Sequence, residues 1–195
     1  MGKLRDSDIR KVLMEQLLDE YGDDPNTRIV NEMGILHGQT RVDIAVINGI
    51  LHGYEIKSES DTLNRLPSQM DDYNKVFDRV TIVVSSKYLD EVRKIIPKWW
   101  GIIVVGNKNG RPVLRNVRKG RKNKNVDPYS VSQLLWKDEA IEILKEKGLH
   151  RGYLSKPRGE IYRRLVETIS FEELKCKINE CLKEREGWRD HELLG

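Results

Sequence analysis

Apolar positions recur at helical spacing at the start of the chain, with Ile9, Val12, Leu13, Leu17 and Leu18 forming one stripe over residues 7–21. The cluster "GDDPN" from Gly22 ends that helix. A strand is expected over 27–33. "RVDIAVI" (41–47) and "ILHGYEIKS" (50–58) follow as two strands joined at Asn48-Gly49, a dipeptide that favours tight hairpins. "DTLNRLPSQMDDYNKVF" reads as a turn entering a helix, with Pro67 near its start. The apolar runs "RVTIVVSS" and "GIIVVGN" suit strands covered on both faces, and "KYLDEVRKIIPKWW" between them suits a helix that stops near Pro97.

This alternation predicts an α/β core over 1–107 with a mixed central sheet flanked by helices. Residues 108–125 read as a hairpin or loop, and 126–195 as a mainly helical extension. Asp127-Pro128 supplies an N-cap and a first-turn proline for one helix over "YSVSQLLWKDEAIEILKEKG"; Ser170 and Glu173 form a capping-box pattern before "LKCKINECLKERE".

Composition narrows the class. Among 195 residues, 38% are hydrophobic and 34% charged, a balance that favours a folded domain over a disordered chain. No apolar stretch is long enough to span a bilayer, and the N-terminal "MGKLRDSDIRKVLMEQ" has no signal-peptide core. Asp6 stands where a myristoylation motif wants Ser or Thr. Cys176 and Cys181 match no metal spacing and read as reduced thiols, so a cytoplasmic protein without a membrane partner is expected.

The net charge of +4 is unevenly placed. "KNGRPVLRNVRKGRKNK" (108–124) contains no acid. It reads either as a solvated hairpin or as a patch in which Arg111, Arg115, Arg118, Lys119, Arg121 and Lys122 meet nucleic-acid phosphates and release counterions. Arg65 and Ser58 are further candidates for phosphate contact, with a structural salt bridge as the alternative for Arg65. Asp61 reads as a cap. Trp99 and Trp100 read as packing residues or as base-stacking platforms. Arg185, Trp188 and Arg189 read as a solvated tail or a nucleic-acid contact.

"YEIKS" carries the candidate chemistry. Glu55 and Lys57, two apart on a strand, share a face. With Asp43 from the preceding strand and the Ile56 carbonyl, Glu55 supplies oxygen ligands of the kind Mg²⁺ takes, and Lys57 can orient or deprotonate a water, or stabilise phosphate charge. Register decides whether this is a site. A strict two-residue turn at Asn48-Gly49 places Asp43 opposite Tyr54; a three-residue loop including Ile50, or a bulge near Gly53, places it opposite Glu55. Glu32 on the preceding strand offers another carboxylate. Gln69 and Tyr73 fall at i and i+4 on one helix face, able to hold the catalytic carboxylate or a phosphate. The alternative is an ion pair between strand residues with no catalytic role.

"RVD…YEIK" resembles the core of the PD-(D/E)XK nuclease superfamily, with Asp43, Glu55 and Lys57 in the signature positions and Val42 where that pattern has proline. "QMDDY" resembles the Gln-xxx-Tyr motif of RecB-like nucleases. The wider run over 41–84, with "IPKWWGI", resembles the sce-type family of uncharacterised bacterial proteins assigned to that superfamily, in which Glu32 matches the acid before the signature aspartate. The resemblance implies a restriction-endonuclease-like fold and a Mg²⁺-dependent (or Mn²⁺-dependent) phosphodiesterase acting on DNA. In that reading Glu32, Asp43, Glu55, Lys57, Gln69 and Tyr73 form the catalytic set, and Asp43, Glu55, Ile56 and Glu32 the metal ligands. A nuclease fold that binds nucleic acid without cleaving it, within a defence or repair assembly, is the alternative.

Overall fold

A computed structural model describes residues 4–186. The elements in chain order are α1 (Asp6–Tyr21), β1 (Arg28–Ile35), β2 (Thr40–Ile47), β3 (Leu51–Lys57), α2 (Leu66–Val76), β4 (Arg79–Ser85), α3 (Leu89–Ile95), β5 (Gly101–Lys108) and β6 (Arg111–Arg118), then helices α4 (Pro128–Ser132), α5 (Lys137–Glu146), α6 (Arg158–Thr168) and α7 (Phe171–Glu184). Strands β1 to β6 lie side by side in chain order in one mixed sheet. β3, β4 and β5 are parallel, as the crossover helices α2 and α3 require, and the remaining neighbours are antiparallel. The protein is therefore α/β, as the alternation of patterns predicted.

Each face of the sheet has its own core. On one side Ile9, Leu13, Met14 and Leu17 of α1 pack on Ile44, Val46, Tyr54, Ile56, Val83 and Ile103. On the other, Leu66, Tyr73 and Val76 of α2 and Val92 of α3 share a core with Ile143, Leu144, Ile161, Leu165, Leu174 and Ile178 of the later helices. Burial on both faces explains the unbroken apolar character of β4 and β5.

No break falls at residue 107. That position lies inside β5, and the basic segment supplies β6, the sixth strand of the same sheet. The later helices share their core with α2 and α3 and complete that side of the sheet. Asp78, buried at the amino end of β4, joins the layers: its carboxylate accepts from the Leu51 amide (2.8 Å) and from Lys175 of α7, and its carbonyl accepts from the Asn123 amide (2.7 Å). The single helix expected after Pro128 is two. α4 ends at Ser132, and α5 starts after Trp136, whose amide bonds the Glu139 carboxylate (2.6 Å).

Arg185 does not read out into solvent. Its guanidinium is buried, bidentate on Glu139 (2.9 and 2.5 Å), bonded to the Leu134 carbonyl (2.9 Å) and lies over the Trp136 ring. Trp188 and Arg189 lie outside the described residues. Trp100 is a packing residue, fully buried, with its indole N–H on Asn74 (2.9 Å), and Trp99 packs beside it.

His52, on β3 near its amino end, lies 2.9 Å from Thr81 Oγ1 and 3.3 Å from the Tyr54 hydroxyl. A neutral ring meets both partners, one as donor and one as acceptor. Burial, with nearby Arg79 adding to it, pushes the imidazole down to about 3. A depressed base favours the fold above its unfolded value of 6.5 and loses that contribution as pH falls towards 3. Acid titration followed by circular dichroism should therefore show a stability loss from pH 6.5 downward that His52→Gln flattens; an unchanged slope would show that His52 does not titrate with unfolding.

Candidate active site

The connection between β2 and β3 sets the geometry. Ile47 pairs with Leu51 and Ile44 with Tyr54, so the loop is the three-residue Asn48–Gly49–Ile50, with Gly49 at φ +87°. Continued past its last pair, Ile44–Tyr54, this register would set Asp43 across from Glu55. Gly53 carries no bulge: it lies within the regular ladder, and a Cβ there would come 3.1 Å from the Phe77 ring, so close packing explains the glycine.

Ladder pairing ends at Ile44 and Tyr54, and the Asp43 side chain takes over, its Oδ2 accepting from the Ile56 amide at 2.7 Å. A matching irregularity lies on the other side of β2. The pairs Asn31–Ile44 and Met33–Val42 flank a gap where Glu32 would meet Asp43, and Glu32 sits at φ +50°, a left-handed conformation uncommon outside glycine. Val42 and Ala45, three apart, consequently face the same core. This break in alternation lets Asp43 reach β3 on one side and α1 on the other. There Arg10 donates to Asp43 Oδ1 (2.6 Å), to the Asp43 carbonyl (2.9 Å) and to Asp6 on its own helix (3.3 Å). Burial, helped by the Asp43 and Asp61 charges, holds the Asp6 carboxyl above its ordinary range despite the opposing Arg10 guanidinium.

Glu55 and Lys57 lie at the carboxyl end of β3, where parallel sheets commonly place ligands. Both are buried, and Lys57 Nζ lies 2.6 Å from Glu55 Oε1. α2 completes the network because Gln69 and Tyr73 project from one face at i, i+4. Gln69 donates to Glu55 Oε1 (2.7 Å) and accepts from Lys57 (3.1 Å), while the Tyr73 hydroxyl donates to Glu55 Oε2 (2.5 Å). Burial, followed by the Asp43 charge, raises the Glu55 carboxyl despite Lys57 and Tyr73. Tyr73 is pushed well above its usual range by burial and by Glu55. A carboxylate so fixed cannot rotate away, and its lysine is held in place by the same amide.

Other candidates separate from this cluster. Among the described residues no three acids, histidines or cysteines converge, so Glu32, Asp43 and Glu55 do not form a three-carboxylate cage; Glu32 pairs with Arg41 at 3.1 Å. Asp61 caps the turn after β3, accepting from the Ser58 amide and hydroxyl (2.8 and 2.6 Å), and this occupies Ser58. Arg65 is exposed at the start of α2. The basic segment divides. Arg111, Arg115, Lys119 and Lys122 are exposed, and Arg111 flanks the Asn109-Gly110 turn at the same end of the sheet as Lys57. Arg118 instead bonds the Trp100 and Pro97 carbonyls (2.7 and 3.1 Å) and Arg121 the Lys98 carbonyl (3.3 Å), at the other end.

Two hard-oxygen carboxylates from adjacent strands beside a lysine fit Mg²⁺, which keeps several waters and takes one or two protein carboxylates; Mn²⁺ shares that preference. The sequence did not point to Arg10 or Asp6. Their i, i+4 spacing was visible, but nothing in the chain links them to Asp43.

A protein-family model described as Bacteriophage P4 protein cII matches residues 1–194. A curated relative, Protein cII of Enterobacteria phage P4, is 30% identical over 146 residues, which cover 75% of this chain and 55% of the relative. The chain thus spans about half the length of that relative. Among solved structures, the SPO1766 protein of unknown function from Silicibacter pomeroyi is 17% identical, with a TM-score of 0.39 over 70% of this chain and 86% of that one. No described helix is long and apolar enough to cross a membrane. With the family match running through the strands, the Glu55 network and the later helices alike, this chain belongs to the bacteriophage P4 protein cII family.

Proposed function

We propose that the protein is a Mg²⁺-dependent phosphodiesterase of restriction-endonuclease-like fold that hydrolyses DNA. The carrying observation is the buried Glu55–Lys57 pair at the end of β3, fixed by Gln69 and Tyr73, with Asp43 of the neighbouring strand bonded to the Ile56 amide at 2.7 Å. The resemblance of "RVD…YEIK" and "QMDDY" to PD-(D/E)XK nucleases supports the same reading. Asp43, Glu55 and the Ile56 carbonyl would hold the ion, and Gln69 and Tyr73 keep the Glu55 carboxylate aimed. When bound, the metal supplies Lewis-acid stabilisation of phosphoryl charge and a more acidic water. Lys57, buried beside Glu55 and held by Gln69, would donate a hydrogen bond that orients the attacking water or steadies charge on a phosphate oxygen. Exposed Arg111 and Arg115 on β6 hold the DNA backbone without reading sequence.

The test is cleavage of linear, circular, single-stranded and branched DNA with Mg²⁺ or Mn²⁺, comparing wild type with Asp43→Ala and Lys57→Ala. Wild type should cleave and both variants should fall by about 10²-fold or more; equal activity in all three would sink the assignment. Arg111→Glu with Arg115→Glu should weaken DNA binding and flatten its salt dependence by about one unit of slope per lost phosphate contact.

A second reading, a nuclease fold that binds DNA without cutting it, is favoured by one observation: Asp43 and Glu55 are each already neutralised by a cation of this chain, Arg10 and Lys57. Salt-dependent DNA binding by wild type with no cleavage under either metal would select it.

A further inference from the structure

Resting on the metal-dependent reading above, we infer that Arg10 is a built-in competitor for the metal position, a positioning residue that sets metal affinity by holding Asp43 Oδ1. Three observations meet at this side chain. Its terminal nitrogens grip both the carboxylate and the carbonyl of Asp43, at 2.6 and 2.9 Å, so Asp43 is fixed from the α1 side while the Ile56 amide fixes Oδ2 from β3. A guanidinium on Oδ1 and a divalent cation on the same oxygen exclude one another, by space and by like charge. The Arg10 side chain also has a second acid within reach: its Nε and Nη2 lie 3.3 Å from Asp6 Oδ1, one turn back on the same helix. Both side chains are partly shielded, at 20% exposure for Arg10 and 24% for Asp43, so the competition is only partly screened by solvent.

Arg10 therefore has two seats. On Asp43 it replaces the metal's charge and keeps the carboxylate in its rotamer. On Asp6 alone it leaves Oδ1 to an incoming cation without becoming an isolated buried charge. Removing the competitor and removing its second seat must then move metal affinity in opposite directions. A merely structural Arg10 would not produce that pattern, because loss of scaffold on either side of the contact would weaken binding in both variants.

The measurement is Mn²⁺ binding to the full chain, by titration calorimetry and by the loss of the free-ion paramagnetic resonance signal, with no DNA present. Wild type, Arg10→Met, Arg10→Lys, Asp6→Asn and Asp43→Asn are compared, and metal-free thermal unfolding reports on the fold of each. Arg10→Met should bind Mn²⁺ about tenfold more tightly, the lower end of what partners of metal ligands are worth. Asp6→Asn should bind it more weakly than wild type, and Arg10→Lys, a point charge without the two-pronged grip, should fall between wild type and Arg10→Met. Asp43→Asn should abolish uptake. If Arg10→Met does not fold, the opposed shifts of Arg10→Lys and Asp6→Asn carry the test. Unchanged affinity in the Arg10 variants, or a shift in the same direction for Arg10 and Asp6, overturns the inference while leaving Asp43-dependent cleavage intact. Absence of Mn²⁺ uptake by wild type and Arg10→Met alike overturns both the inference and the metal-dependent reading.

Discussion

Lys57→Met is expected to lower the stability of the whole chain by about 3–5 kcal/mol at neutral pH, because it strands the Glu55 carboxylate in a buried site. The two side chains are 3% and 7% exposed, so solvent does little to replace the lost partner. The deficit should depend on pH with a definite sign. Glu55 already sits above its ordinary value of 4.5, chiefly through burial, and without Lys57 it rises further. A carboxyl raised in the folded state favours the fold below 4.5 and loses that contribution as pH climbs through the folded value. Urea unfolding should therefore show a smaller deficit at pH 5 than at pH 8. Glu55→Gln combined with Lys57→Met should recover much of the loss, since an amide can still meet Tyr73 and Gln69. A double variant weaker than either single one would refute the coupling.

Asp78→Ala should be the other severe substitution, costing about 3–5 kcal/mol by leaving the Leu51 amide without its acceptor and Lys175 without its acid. Leu51 is fully buried and Lys175 only 17% exposed. Asp78→Asn keeps an acceptor for Leu51 and should cost less, the difference reporting on the charge. Because Asp78 touches β3, the 123 segment and α7 together, chemical denaturation should remain one cooperative transition shifted as a whole. Two separate transitions in wild type, with Asp78→Ala moving only one, would show that the later helices fold independently of the sheet.

Much of this was legible in the sequence, and the reason differs by residue. Periodicities of 2 and 3.6 place Glu55 with Lys57, and Gln69 with Tyr73, because spacing within one element fixes the shared face. The approach of α2 to β3 could be anticipated from the resemblance, not from spacing. Hairpin register came down to a choice between loop lengths. Asn48-Gly49 fitted either, and packing of Ile47 and Leu51 into one core selects the three-residue loop. The α4–α5 break was missed because helical periodicity continues across residues 133–136. Arg118 and Arg185 were misplaced for a common reason. Composition marks arginines as surface cations, whereas Arg118 spends its guanidinium on backbone carbonyls and Arg185 on the Glu139 carboxylate and the Leu134 carbonyl, contacts that composition does not reveal. Arg10 on Asp43 is a meeting of the same kind, 33 residues apart.

The left-handed turn at Glu32 has a consequence beyond the carboxylate it lets out. β1 is one border of the sheet, and a straight border strand offers a row of backbone groups to which a neighbouring molecule can add its own strand. A residue at φ +50° in mid-strand interrupts that row, and at the opposite border Pro112, Arg111 and Arg115 deny β6 the same role. The distortion that opens β2 toward α1 and β3 thereby also makes β1 a poorer template for a strand of a second molecule.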